Sequence, residues 1–511
     1  MVSKGWHRAM AAGAIVFFVG STVLWTMGSA SLFVSPDETA NHWFIRTFAQ
    51  TGKFHIADPL NTALDGRIHP RSMAVIGQDI VPVGFLGLPT LYGLFASVLG
   101  MGIVPFLTPV IALCAVFAFR ALVCRWFDER IANITTLLFL FHPALWYYTA
   151  RFLMPNVLFV SLLIFSAALW FVRPFKRGWS PVLSGVLAGL AIFVRASEAY
   201  WVGALVVALA IWKWNTLKKG DLWLFVMGGI VGLLPFFLMN ALTYGSPLTT
   251  GYTLPVAVEN AGTAGETGQS GHALFPFGLD WAASARHIVG YGLALFWWMS
   301  ALAAVGFVRA WKSHRAYAIA FVCLALWLGV WYGSWTIHDN PDPTQVTIAN
   351  SYVRYWLPVF VLSVPFAALA LVWLSDRFGR ALLPACMACV MGLGVWGTFL
   401  SGQDGLFQAA ETLRRSEVIS DRVLSQIEPE SVMIVDRSDK LFFPHRVVYP
   451  LRSEATYALM PRIVELVPLY YYGITFPTED LEYLNGKKLK EMGLQIELVE
   501  HFSNESLYKL F

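Results

Sequence analysis

Apolar runs of about the length needed to cross a bilayer recur along the whole chain. No other feature limits its fold as strongly. A helix spanning the hydrocarbon core needs roughly 20 predominantly apolar residues. In lipid its backbone groups must also pair internally. Windows of that kind lie near residues 10–32, 103–124, 131–149, 153–172, 181–198, 200–214, 222–242, 287–310, 316–337, 354–374 and 381–400. Composition agrees. Of 511 residues, 57% are of the AVILMFWYC set and 13% are charged, where soluble proteins carry about 25% charged. Mean hydropathy is +0.58. A disordered chain, a nucleic-acid binder and an ordinary soluble enzyme all fit poorly. The expected fold class is an α-helical polytopic membrane protein with about 11 transmembrane helices.

Charge in the short loops sets an orientation. Basic residues cluster at Lys4/Arg8, Arg125/Arg130, Arg173/Lys176/Arg177, Lys213/Lys218/Lys219, Arg309/Lys312/Arg315 and Arg377/Arg380. All six clusters fall on one side, the cytoplasm, only if the apolar segment 83–99 does not cross. Gly84, Gly87 and Pro89 interrupt that segment, so it reads as a juxtamembrane or re-entrant helix on the outer side. The first apolar segment lacks the cleavage pattern of a signal peptide. The expected topology is multi-pass in the plasma membrane, N-terminus cytoplasmic and C-terminus outside. Three regions then face outward: 33–102, 243–286 and 401–511.

The five cysteines, Cys114, Cys124, Cys323, Cys386 and Cys389, all sit in apolar stretches. They offer no disulfide framework and read as small packing residues.

From residue 401 the composition becomes that of a soluble protein. An amphipathic helix is predicted near 406–427, a strand at Ser431–Asp436 and an extended run at Arg446–Tyr449. A helix follows near 455–466, then an extended Pro468–Ile474, a helix at Glu479–Met492 and a strand at Leu494–Val499. The expected division is a transmembrane domain over 1–400 and a small extracytoplasmic α/β domain over 401–511. No Gly-rich phosphate loop and no metal-ligand spacing is visible in the tail.

The run Ser35-Pro36-Asp37-Glu38 places two carboxylates directly after the first span. Ser35 and Pro36 suit a helix start, and acidic residues there complement the helix dipole. The chemical reading is that ionisable groups at a membrane surface are costly unless used. Further polar residues are expected on the same surface. The first loop supplies His42, Arg46, His55, Asp58, Asp65, Arg67, His69 and Arg71. Arg151 ends one span. Arg195 and Glu198, three apart on one helical face, end another, where an ordinary structural ion pair is the plainer reading. His338, Asp339 and Asp342 precede Arg354-Tyr355-Trp356-Leu357-Pro358. They are too loose a group to require a metal.

A carboxylate can serve as general base on an acceptor hydroxyl. Arginines can hold a phosphate leaving group. Together they suit sugar transfer from a polyprenyl phosphate, with a lipid groove supplied by the bundle. Spacing alone leaves open which of Asp37 and Glu38 is the base.

On these residues the chain resembles the GT-C membrane glycosyltransferases, in the branch of protein O-mannosyltransferases and lipid A aminoarabinose transferases. The likeness rests on Asp37-Glu38 after the first span, the long first loop, the run Gly185–Arg195, Tyr244-Gly245-Ser246-Pro247 followed by Gly251-Tyr252, and Arg354–Pro358. It covers roughly residues 10–400. It implies an enzyme of the cell envelope, inverting, with Asp37 as base and Glu38 supporting it. It also implies a polyprenyl-phosphate sugar donor and a protein, lipid or glycan acceptor. Arg71, Arg354, Arg195, Arg151, His69 and Tyr355 are the candidate substrate and phosphate ligands. No metal or other cofactor is demanded.

The Lys-Pro-Pro type motif of some members is missing. Ile80-Val81-Pro82-Val83-Gly84 stands in its place, which makes Arg71 the first candidate for the phosphate cation. The repeat domain inserted in eukaryotic members is also missing, which favours a bacterial or archaeal origin. The rival readings are a transporter or flippase of lipid-linked sugars, a polysaccharide polymerase or ligase, and a scaffold with a sensory tail. Charge at the outer ends of spans, rather than near the midplane, argues against the transporter.

Overall fold

The computed structural model describes residues 4–175, 178–212, 215, 217–254, 278–337, 339, 345–451 and 454–511. Each of the eleven apolar windows contains helix. Among the described residues, six helices are long and apolar enough to cross a membrane, or up to eight if each bent pair is one span. The multi-pass helical class therefore holds. The figure of eleven does not follow from these helices, because several windows are broken. Windows 181–198 and 200–214 form one pair, Trp179–Val194 and Ala196–Trp212, bent by 117°. Window 131–149 splits into Glu129–Leu140 and Pro143–Ala150. There His142 leaves the helical conformation and its Nδ1 accepts from the amide of Ala144 at 3.2 Å. Pro143 has no N–H to continue the first helix.

The chain forms two compact units. The first comprises Met1–Trp25, Gly102–Phe237 and Thr263–Ala409. The second comprises Thr26–Met101, Leu238–Gly262 and Ala410–Phe511.

In the first unit, backbone-to-backbone approach at glycine organises the packing. A Cβ added at Gly185 would strike the carbonyl of Phe225, and one at Gly228 or Gly232 the carbonyls of Val182 and Val186. Helices Trp179–Val194 and Lys219–Tyr244 thus meet through Gly185/Gly189 and Gly228/Gly232. This is the small-xxx-small arrangement that lets apolar helices associate where no water drives them together. Elsewhere in this unit the buried Trp146 packs on Phe17, Phe141 and Phe399, with centroids 5.9, 5.3 and 4.9 Å away.

In the second unit, segment 83–99 forms the helix Gly87–Leu99, of 13 residues. At 1.5 Å per residue it is about 20 Å long, too short to cross a core of roughly 30 Å. It packs on the helix Pro36–Thr51, where Phe48 lies over Gly93 so closely that a Cβ there would come within 2.6 Å of Cδ1. Between these helices the chain makes a three-stranded antiparallel sheet from β1 (Ile56–Ala57), β2 (Met73–Ile76) and β3 (Asp79–Pro82), in the order β1-β3-β2.

The tail follows its predicted pattern closely. After the helix Leu406–Leu424 come β4 (Val432–Val435), β5 (Val447–Pro450), the helix Glu454–Leu466, β6 (Leu469–Ile474), a helical stretch beginning at Thr478–Tyr483, β7 (Ile496–Phe502) and β8 (Glu505–Leu510). The sheet order is β5-β4-β6-β8-β7. The first two pairings are parallel and the last two antiparallel. β8 was not expected. It returns from β7 through Ser503-Asn504, with Ser503 at φ 62°. The core of this sheet includes Leu64 and Ile68 of the first loop, both fully buried against residues such as Ile434, Leu469 and Tyr508.

Candidate active site

The helix Pro36–Thr51 begins with a reciprocal cap. Ser35 Oγ accepts from the amide of Glu38 at 3.4 Å. Glu38 Oε2 accepts from the amide and the hydroxyl of Ser35, each at 3.0 Å. Ser-x-x-Glu is the sequence signature of this box, and it engages the second carboxylate of the pair, which is 3% exposed. The first carboxylate points elsewhere. Asp37 is half-buried, and its Oδ1 accepts a hydrogen bond of 2.6 Å from Ser72 Oγ. The structure therefore separates two residues that spacing leaves equivalent.

Ser72 stands at the entrance to β2 with φ 61°, in the left-handed region that few non-glycine residues adopt. Its carbonyl accepts from the amide of Val83 at 3.2 Å. The preceding residue, Arg71, is fixed from the tail. Its amide donates to Asp439 Oδ2 at 2.8 Å, its Nε donates to Oδ1 at 2.7 Å, and its Nη2 donates to the carbonyl of Arg437. Asp439 is 1% exposed. A buried carboxylate needs such a partner. His69 is buried one residue before Pro70, with Nδ1 2.9 Å from the carbonyl of Pro70.

The same unit holds His42, half-buried against Phe33 with centroids 4.9 Å apart. Burial, and secondarily the Arg46 charge, lowers its pKa to about 4. Other loop residues have local duties. Asp58 caps the helix Pro59–Ala63, and burial raises its pKa. His55 lies 3.2 Å from Asp79. Asp65 pairs with Arg462 at 2.7 Å, which lowers its pKa.

The first unit gathers the remaining candidates. The bend between Trp179–Val194 and Ala196–Trp212 is closed by a buried ion pair, with Arg195 Nη2 to Glu198 Oε1 at 2.8 Å. Tyr332 Oη donates to the same oxygen at 2.5 Å and Trp201 Nε1 to Oε2 at 2.5 Å. The Tyr355 ring lies between two guanidinium groups, 5.0 Å from that of Arg195 and 5.1 Å from that of Arg354, and stacks on Tyr332 at 4.4 Å. Arg354 also donates to Met154 Sδ at 2.8 Å. Arg151, buried at the end of Pro143–Ala150, lies 5.8 Å from the ring of Tyr148. The Tyr148 hydroxyl reaches the carbonyls of Ala349 and Asn350, each at 2.9 Å.

Of the His-Asp-Asp group, His338 and Asp342 lie outside the described residues. Asp339 accepts from the amide of Ser351 at 2.6 Å. Among the described residues no group of three or more His, Cys, Asp or Glu is placed to hold a metal ion.

Sequence reasoning missed Ser72, Asp439, Tyr332 and Trp201. The Arg71–Asp439 contact spans 368 positions, and no local pattern signals a pairing at that distance. The cap role of Glu38 was readable in Ser-x-x-Glu.

No protein-family model matches the chain, and no curated protein sequence matches it. Solved structures do. ArnT from Cupriavidus metallidurans in the apo state superposes with a TM-score of 0.59 at 15% identity, over 100% of this chain and 98% of that one. The Archaeoglobus fulgidus oligosaccharyltransferase in its apo form gives 0.55 at 11% identity, over 95% and 71%. The same enzyme tethered to an acceptor peptide containing the NVT sequon gives 0.52 at 12%, over 95% and 70%. These neighbours are GT-C glycosyltransferases, and the chain has their fold, the one its sequence resemblance implied.

Proposed function

We propose that this protein transfers a sugar from a polyprenyl-phosphate-linked donor to an acceptor hydroxyl at the outer face of the membrane, with inversion. The observation that carries the reading is the Asp37 carboxylate. It stands at the start of a helix, held by the Ser72 hydroxyl at 2.6 Å and set apart from the cap that occupies Glu38. The fold shared with ArnT and an oligosaccharyltransferase supports the reaction class.

In this scheme Asp37 takes the proton of the acceptor hydroxyl as its oxygen bonds to the anomeric carbon. The bond from that carbon to the phosphate oxygen breaks on the opposite side of the sugar ring. Polyprenyl phosphate leaves with the electron pair. Its charge is taken up by arginine, whose planar geometry suits phosphate; Arg354 and Arg151 are proposed for this from the sequence alone. Glu198 compensates Arg195, which is assigned to fixing the Tyr355 ring against Arg354. Glu38 orders the first turn. His69 and Arg71 shape the loop on which Ser72 sits. The acceptor is a protein, a lipid or a glycan, and residues 401–511 contribute to its recognition.

The test is transfer from radiolabelled polyprenyl-phosphate sugars in proteoliposomes, comparing wild type with Asp37→Asn. A positioned base contributes roughly 10²- to 10⁴-fold. A loss of that size with donor binding retained is expected. Equal rates would remove Asp37 as base. Absence of transfer by wild type across donor sugars would favour a transporter of the same lipids.

A further inference from the structure

We infer that Asp439, in the tail, is a positioning residue for Asp37: it clamps Arg71, and the Arg71-Ser72 turn so held aims the Ser72 hydroxyl at the Asp37 carboxylate. The inference rests on the reading of Asp37 as base. All four residues belong to the second compact unit.

Three observations carry it. First, the clamp is buried and multiply bonded. One carboxylate receives both the amide and the Nε of Arg71, at 2.8 and 2.7 Å, and is itself 1% exposed. A charge-assisted pair of this kind fixes direction as well as distance.

Second, Ser72 is held on both sides. Arg71 is anchored ahead of it. Its own carbonyl is bound by the amide of Val83 at 3.2 Å, beside the β2–β3 ladder. Its φ of 61° is a conformation that surroundings must enforce in a residue with a Cβ. Released from Arg71, the residue has reason to relax toward negative φ, which swings the hydroxyl off Asp37.

Third, Asp439 follows the carboxyl end of β4, where the parallel part of the sheet reverses its strand order, with β5 on one side of β4 and β6 on the other. In open α/β sheets that crevice is where ligands bind. Here Arg71 binds the residues that follow β4, donating to Asp439 and to the carbonyl of Arg437. Lys440, one residue beyond Asp439, donates to the carbonyl of Val34 at 2.6 Å, just before the Asp37 helix. The tail thus holds the residue before Ser72 and the chain just before the Asp37 helix.

The experiment compares Ser72→Ala, Asp439→Asn, Arg71→Lys and the double variant Ser72→Ala/Asp439→Asn in nanodiscs. Arg71→Lys keeps the charge and the backbone bond, so it reports even if Asp439→Asn folds poorly. Each single change is expected to lower kcat roughly 10- to 100-fold with donor KM little changed, the scale of a displaced catalytic group. The double variant is expected to fall no further than the worse single one, since both act through one contact. Multiplied effects in the double variant, or a loss carried by KM, would overturn the inference.

Cryo-electron microscopy of Asp439→Asn decides the point without any substrate. A Ser72 Oγ to Asp37 distance beyond about 3.5 Å is expected. A retained hydrogen bond would overturn the positioning role even in an active enzyme. Absence of transfer by wild type would refute the proposed function and leave this distance still to be read.

Discussion

Ser72 gives its hydroxyl hydrogen to Asp37 at 2.6 Å, while the neighbouring Glu38 is bound to Ser35 one turn of backbone away. Two adjacent carboxylates thus have different partners. Asp37 accepts from a side-chain hydroxyl, and Glu38 completes a helix cap.

The two carboxylates should respond differently to loss of charge. Glu38→Gln and Ser35→Ala weaken the capping box and are expected to cost about 0.5–2 kcal/mol of stability. Neither should lower transfer more than a few-fold. Asp37→Asn should do the reverse. Thermal unfolding in detergent, run beside the transfer assay, separates them. A Glu38→Gln variant as inactive as Asp37→Asn would contradict the division of roles.

His42 gives a pH dependence with a definite sign. Its folded pKa is lowered to about 4, below the ordinary 6.5. Between those values the unfolded chain binds a proton that the folded chain refuses, so stability falls as pH drops from about 6.5 to 4. Above 6.5 the group contributes no slope. The loss is at most about 3 kcal/mol, and less to the extent that water reaches the ring. Replacing His42 by Gln should flatten the unfolding midpoint across this window. An unchanged slope would mean that other groups produce it.

Gly185 and Gly232 should not tolerate bulk. A side chain at either meets a backbone carbonyl of the facing helix, and a carbonyl cannot turn aside as a side-chain tip can. Gly185→Leu or Gly232→Leu is expected to separate the two helices and to destabilise by about 2 kcal/mol or more. Gly203→Leu is the control, since nothing lies within 4 Å of its added Cβ. Equal melting temperatures for the three variants would refute the close packing.

Glu198→Gln should be among the most damaging single changes in the first unit. It leaves Arg195, 7% exposed, without its opposite charge. Removing one partner of a buried pair costs about 3–5 kcal/mol. Replacing both, as Arg195→Met with Glu198→Met, should cost less than either single change. Additive losses would show that the pair is not coupled.

Much of this was readable from local pattern. Apolar windows locate helices because a helix in lipid satisfies its own backbone, so composition alone decides the class. Gly84, Gly87 and Pro89, with the charge balance of the loops, mark 83–99 as non-crossing, and it is a 13-residue helix. Short apolar runs in the tail locate β4 and β6, which are buried on both faces, and alternation locates β7. β8, Glu505–Leu510, escaped because it starts from a two-residue turn that no Gly announces.

The sequence by itself determined the membrane class, the position of the acidic pair after the first apolar segment, and the α/β character of the tail. These depend on residues near one another along the chain. Tertiary structure alone decided which carboxylate is capped and which meets Ser72, that Arg71 is gripped by Asp439, and that Tyr355 lies between Arg195 and Arg354. It also decided that windows 181–198 and 200–214 fold back at a buried ion pair. Each of these turns on where a side chain finds its partner. For Arg71 that partner is 368 residues away, and burial of charge, which no local window records, makes the pairing obligatory.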